Sequence, residues 1–389
     1  DIGMIFLAGH GYLDNAGAFW FLPVDASISK LRSRGINKED IMTTTKRALL
    51  AALTVTGALT ITLPAQAQEV TLKVAHFWPP GAMAPTKVIQ PWCDKINKDS
   101  GGKLKCQIYP AMQLGGTPAQ LFDQARDGVA DVVYTLPGYT AGRFPLAEVF
   151  ELPFMNENAE ASSQAVWEYY LTTPAVQKEF AGVKPLMLHT HDEGYVHTKE
   201  KQIKTLADFK GLKMRAPTRQ TNKLLAKLGA APVAMPLPAV PEAMSKGVID
   251  GYLLPWEVIP SVKLHELTKF HTETDPKERA LYSAVFLMAM NPAKYDSLPT
   301  DLKKVIDNNS GAALVKQTGK TWDESATAGR KVAEERKNTF YTVPASELAN
   351  WRGASASLYD EWIAEVTAKG NDGKALLAKA QALVKKYEK

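Results

Sequence analysis

Arg215 follows a short alternating segment, Leu212-Lys213-Met214, and precedes Ala216-Pro217. Alternation of apolar and polar residues reads as a strand and the proline as its end, so the guanidinium is expected at a strand's carboxyl end. There its planar fork can hold a carboxylate through two parallel charge-assisted hydrogen bonds. A solvated ion pair is the ordinary role of an arginine, and the residues alone leave both readings open. His189-Thr190-His191 would set two imidazoles on one face of a strand, the start of a metal pair, but no third ligand lies close in sequence, and satisfied or solvated histidines are the expectation. His265-Glu266 with His271 lacks the i, i+4 histidine pair of zinc hydrolases. P-loop, dinucleotide-binding and Gly-x-Ser-x-Gly motifs are absent. The expectation is therefore no cofactor, no metal and no catalytic residue.

The elements that position these side chains begin late in the chain. Met42 to Arg47 is a short basic stretch, Ala48 to Leu63 an apolar run, and Pro64-Ala65-Gln66-Ala67 a small-x-small cleavage pattern. The run falls short of the roughly 20 residues needed to span a bilayer and is diluted by Thr54, Thr56, Gly57 and Thr60. It reads as a secretory signal peptide over 42–67, cleaved near Ala67, with no membrane insertion afterwards. The net charge is +5, and the first 67 residues hold six Lys/Arg and five Asp/Glu, leaving +4 on the exported part. That mild balance, without basic runs or basic-aromatic interleaving, points away from nucleic acid. Export permits a disulfide between the two cysteines, Cys93 and Cys106, and the residues leave bridged and free states open.

About 320 exported residues suggest two lobes. Val70, Leu72 and Val74 open a strand, and Ala84 to Asp99 reads as a helix with a kink at Pro91. Lys103 to Tyr109 is a second strand. Thr117-Pro118 then starts a helix ending at Gly128, before a buried strand from Val129 to Tyr134. Helices alternating with strands predict an α/β sheet. A similar helix, glycine and strand recur from Gln124 to Gly138 and from Glu242 to Trp256, each ending in a proline-bearing loop. Two such loops, one per sheet, would face a cleft at strand carboxyl ends. Asp301 to Arg336 is mostly helical with a weak point at Asn308 to Gly311, Pro344 starts another helical stretch to about Ala368, and Gly370 to Gly373 breaks it from a final helix.

Ala75-His76-Phe77-Trp78-Pro79, Gln113-Leu114-Gly115-Gly116, Asp208 to Arg215, Leu228-Gly229-Ala230, Gly247 to Gly251 and Leu298-Pro299-Thr300-Asp301 together resemble the substrate-binding proteins of tripartite ATP-independent periplasmic (TRAP) transporters. The resemblance spans nearly all of 70–385. It implies a bilobed periplasmic-binding-protein-like α/β fold with long C-terminal helices bridging the lobes. Residues 68–192 plus 282–322 would form lobe I, and 193–281 plus 323–389 lobe II. It further implies a periplasmic receptor for a small carboxylate, delivering it to sodium-coupled TRAP permease subunits, with Arg215 as the carboxylate clamp.

Departures from the family narrow the ligand. The stretch Glu193 to Thr198 has no second arginine, and Leu253-Leu254 replaces a polar pair, which argues against sugar acids and dicarboxylates. The expected lining is aromatic: Phe77, Trp78, Tyr139, Tyr195 and Trp256, suited to an apolar or aromatic monocarboxylate. Core packing is an equal reading for Phe77 and Tyr195. Arg143 is a candidate second cation or a structural ion pair, and Glu257 leaves a cation-assisted mode open.

Residues 1–41 read differently. Gly9-His10-Gly11 and Phe19 to Asp25 resemble the histidine-bearing segment of caspase-like cysteine peptidases. This gives an alternative function, a cysteine peptidase fragment, but neither cysteine sits at a suitable strand end. A fused remnant or misassigned start accounts for it better. A third reading keeps the receptor and gives it a signalling partner.

Overall fold

The computed structural model describes residues 69–388, and the backbone of two short antiparallel strands, Gly11–Leu13 and Phe19–Phe21. His10 and the leader at 42–67 lie outside the described residues.

Two sheets organise residues 69–388. The first has five strands: β1 (Val70–His76), β2 (Leu104–Tyr109), β3 (Val132–Thr135), β4 (Lys184–Thr190) and β10 (Val285–Met290), in the order β2-β1-β3-β10-β4. The second has six: β5 (Gly194–Thr198), β6 (Lys213–Ala216), β7 (Ala231–Ala234), β8 (Gly251–Pro255), β9 (Phe270–Glu273) and β11 (Thr339–Thr342), in the order β11-β9-β5-β8-β6-β7. β1 runs parallel to β2 and β3, and β6 parallel to β7 and β8. β10 is antiparallel to β3 and β4. The chain crosses from the first sheet to the second at 191–193 and returns at 274–284. β3, β8 and β10 are buried along their whole length, as strands covered on both faces must be.

The helix after β1 starts with a wide turn, Ala84–Ile89, in which Gln90 N–H reaches Pro85 O, and continues as α1 (Gln90–Asp99). Pro91 lies at that junction, where the main chain needs no ordinary i−4 bond from it. Cys93 of α1 and Cys106 of β2 are joined by a disulfide, with Cα atoms 5.7 Å apart. Neither sulfur is therefore a free thiol that His10 could activate. α2 (Leu121–Arg126) follows a turn that Thr117 and Gln120 close as a capping box.

α3 (Ala159–Thr172) and α4 (Pro174–Glu179) lead to β4. α5 (Leu206–Phe209), α6 (Arg219–Lys227) and α7 (Val240–Ser245) connect the strands of the second sheet. α8 (Pro292–Ser297) and α9 (Thr300–Asn308) then precede α10 (Ala312–Glu335). At 24 residues α10 is about 36 Å long. It packs on α3 and β4 and on the turn following β8. Asp323 of α10 caps α3, accepting from Ala159 N at 2.8 Å and Glu160 N at 2.9 Å. Farther along, Gly329 lets the helix touch the Trp256 main chain, where a Cβ would lie 2.0 Å from the Trp256 carbonyl oxygen. One helix thus braces elements of both sheets. α11 (Ala345–Ser355), α12 (Ser357–Ala368) and α13 (Gly373–Tyr387) finish the chain, α13 lying against α3. β11 interrupts the expected helical tail: Thr339 to Thr342 pairs along the edge of the second sheet.

Candidate ligand-binding site

A narrow cavity of about 30 Å³ lies where the two sheets meet. Its walls come from the carboxyl ends of β1 (Phe77, Trp78), β3 (Leu136, Tyr139), β6 (Arg215, Pro217) and β8 (Leu254, Pro255, Glu257, Val258). The two crossings add His191, Tyr282 and Ala284, and the start of β10 adds Phe286. Strand carboxyl ends gather ligand groups in α/β folds because the connecting loops diverge there.

Arg215 is 1% exposed. Its strand lies between β7 and β8, and both flanks pin the guanidinium: Nε donates to Met235 O at 3.0 Å, and Nη1 to Leu253 O at 2.9 Å. Both acceptors are neutral, and among the described residues no carboxylate pairs with this arginine. Burial pulls its pKa down, yet an arginine stays charged at neutral pH. Glu257 reaches the same cavity, but burial of its carboxyl, whose Oε2 has no hydrogen-bond partner, pushes it up to about 8. Neighbouring Asp192 is also raised well above the carboxylate range, first by burial and then by Glu257. The cavity therefore holds a cation with no ionic partner among the described residues, beside a carboxyl whose charged form burial disfavours.

The remaining surface is largely aromatic. Phe77 stacks on Trp78 with centroids 4.0 Å apart, Trp78 on Phe286 at 5.6 Å, and Tyr139 meets Phe77 edge-on at 5.4 Å. The Tyr139 oxygen accepts from Leu237 N at 3.1 Å, a contact between the two sheets' loops. Nearby, Gly138 allows a second: a Cβ there would lie 2.6 Å from Thr218 Cγ2. Thr218 is the N-cap of α6. The next residues of α6 grip Glu148, which follows β3: Arg219 pairs with it, and Gln220 Nε2 donates to it at 2.8 Å. The loops of the two sheets are thus drawn together over the cavity.

Four of the seven residues expected from sequence, Arg215, Phe77, Trp78 and Tyr139, line this cavity together. The other three do not. Trp256 begins the turn after β8 and points into the second sheet's core, against His197, His271 and Phe340, with Nε1 donating to Glu273 at 2.8 Å. Tyr195 lines a separate groove with Asp192, Glu193 and Asp323, and its hydroxyl donates to Glu193 at 2.6 Å. Arg143 pairs with Asp123 at 2.8 Å and lies over the Phe122 ring at 4.3 Å. The sequence reading missed Tyr282 and Phe286 and treated His191 as a solvated or metal-binding imidazole. His189 is a core residue, stacked on Phe286 at 5.1 Å. No cluster of three or more His, Cys, Asp or Glu suited to a metal occurs among the described residues, and no helix among them is long and apolar enough to cross a membrane.

Residues 74–365 match the family model DctP, bacterial extracellular solute-binding protein, family 7. Solved structures that share the fold include the following three. A TRAP solute-binding protein from Rhodoferax ferrireducens, in complex with copurified benzoate, is 53% identical, with a TM-score of 0.80 over 82% of this chain and 98% of that one. A marine-metagenome TRAP solute-binding protein specific for aromatic acid ligands, with co-crystallised 3-hydroxybenzoate, is 48% identical, with a TM-score of 0.81 over 83% and 100%. A TRAP periplasmic solute-binding protein from Bordetella bronchiseptica, with bound (R)- and (S)-mandelate, is 30% identical, with a TM-score of 0.76 over 82% and 100%. The bilobed fold, the matched family and these neighbours agree: the chain belongs to the TRAP solute-binding proteins, a family of transport receptors and not of enzymes.

Proposed function

We propose that the protein is a periplasmic receptor that encloses an aromatic monocarboxylate and delivers it to a sodium-coupled TRAP permease. One observation carries the reading: a fully buried guanidinium, with no carboxylate partner among the described residues, sits in an aromatic cavity. A buried lone charge is costly, and an anionic ligand is what compensates it. Arg215 offers one cationic pole, so a second carboxylate would be desolvated unpaired. Phe77, Trp78, Tyr139 and Phe286 offer faces and edges for a flat ring. The benzoate, 3-hydroxybenzoate and mandelate held by the three similar proteins support the same ligand class.

Closure follows from the same contacts. Lobe I comprises 68–192 plus 282–322 and carries the first sheet, and lobe II comprises 193–281 plus 323–389. The Glu148 contacts to Arg219 and Gln220 hold the lobes shut over the ligand, and the shut surface is what the permease reads. Residues 42–67 act as the signal peptide, removed near Ala67. The test is calorimetric titration with benzoate, hydroxybenzoates, mandelate, succinate and galactonate. Binding confined to the aromatic acids supports the proposal, and tighter binding of succinate or galactonate refutes it.

A further inference from the structure

Besides the Glu257 carboxyl, two polar groups in the cavity remain unused once a carboxylate meets Arg215. His191 follows β4 at the first crossing and is 4% exposed. Its main chain is fixed, since Ser283 Oγ donates to its carbonyl at 2.9 Å. Its Nδ1 faces the Asp192 carbonyl. A carbonyl only accepts, so Nδ1 carries the proton. Burial, and then the charge on Arg215, lower the imidazole pKa to about 4, so near neutrality the ring holds that single proton. Nε2 is then a bare lone pair, and the one hydrogen bond of this ring to a described residue is that of Nδ1.

The second group is the Tyr282 hydroxyl, buried and without a partner among the described residues. Its ring meets the edge of the His191 ring, with centroids 5.3 Å apart. It is pressed onto Gly194, where a Cβ would lie 2.1 Å from Tyr282 Cε1. Both rings are thus held in place by main chain.

A carboxylate cannot satisfy Nε2, because both are acceptors. An unsubstituted aromatic ring leaves Nε2 and the tyrosine hydroxyl desolvated and unpaired, which weakens binding. A hydroxyl is the small group that donates to one and accepts from the other. We infer that His191, with Tyr282, makes the receptor selective for hydroxylated aromatic carboxylates, Nε2 accepting from the ligand hydroxyl and the tyrosine donating to it. This rests on the aromatic-acid reading proposed above and adds a second recognition pole to it.

The test titrates the full chain with benzoate, the three hydroxybenzoate isomers and their methoxy analogues. The readout is the ratio of affinities. At least one hydroxybenzoate is expected to bind about tenfold or more tighter than benzoate, and its methoxy analogue, which cannot donate, loses that advantage. In His191→Phe the ratio falls to near one, while His191→Gln, which restores an acceptor, recovers part of it. Tyr282→Phe reduces the ratio independently, so the inference stays testable should one variant fail to fold. A wild-type ratio of one or below, or an unchanged ratio in folded His191→Phe, overturns the inference while leaving the aromatic-acid reading intact. Failure of every aromatic acid to bind overturns both.

Discussion

Replacing Arg215 by methionine removes the cation while keeping much of the side chain's apolar stem. Two effects follow. In the free protein, the Met235 and Leu253 carbonyls lose donors at 3.0 and 2.9 Å. In the complex, the ligand carboxylate enters a cavity with no charge to meet it. Removing one member of a buried pair costs about 3–5 kcal/mol, so Kd should rise by roughly two to three and a half powers of ten. Arg215→Lys keeps a charge, but one ammonium cannot replace the planar fork that serves two carbonyls and a carboxylate. Its loss should be smaller, about tenfold or more. Calorimetry measures the affinities, and thermal unfolding of the same samples separates lost binding from lost fold. A folded Arg215→Met protein whose Kd stays within about threefold of wild type would refute the carboxylate-clamp argument.

Further predictions address closure and stability. Gly138→Ala puts a methyl into the 2.6 Å approach to Thr218 Cγ2, and Thr218 cannot rotate away without giving up its cap. At about 1–3 kcal/mol of overpacking, ligand affinity should fall about five- to a hundredfold in titrations, with little change in the Tm of the free protein. Removing the Cys93–Cys106 bridge, with a sequence separation of 13, should cost about 3 kcal/mol in denaturant unfolding while ligand affinity persists. Glu151 is buried, and burial first, then Glu148, push its carboxyl up to about 8. Its folded pKa exceeds its unfolded one, so its contribution is full in acid and is lost as pH rises toward 8. Glu151→Gln should therefore gain stability relative to wild type by about 1.4 kcal/mol per pH unit between pH 5 and 8, measured by denaturant titration at each pH; a pH-independent difference would contradict this.

Much of the fold was legible because it rests on local signals. Thr117-Pro118 announces a helix start, Gly128 and Gly247 announce helix ends, and the apolar runs after them can only be covered strands. Part of the site was legible for the same reason, since Arg215, Trp78 and Tyr139 lie at or just past strand ends. The rest fails on direction and distance. Trp256 and Glu257 are neighbours in an irregular turn, where no period fixes which side chain faces which way; the tryptophan turns into the core and the glutamate toward the cavity. Tyr282 lies on the return crossing and Phe286 at the start of β10, both far along the chain from β1, β3, β6 and β8, and nothing local marks them. His191 looked like half of a metal pair because alternation along β4 was carried one residue beyond the strand's end at Thr190. β11 is a four-residue edge strand with both its first and last residues exposed, too short for alternation to register.

Charge on the ligand offers the most direct test, because it leaves the protein unaltered. Benzamide keeps the ring and shape of benzoate but presents no anion to Arg215. Titrated side by side at pH 7, benzamide should bind at least a hundredfold more weakly than benzoate. Equal affinities would contradict a site organised around one buried, unpaired guanidinium.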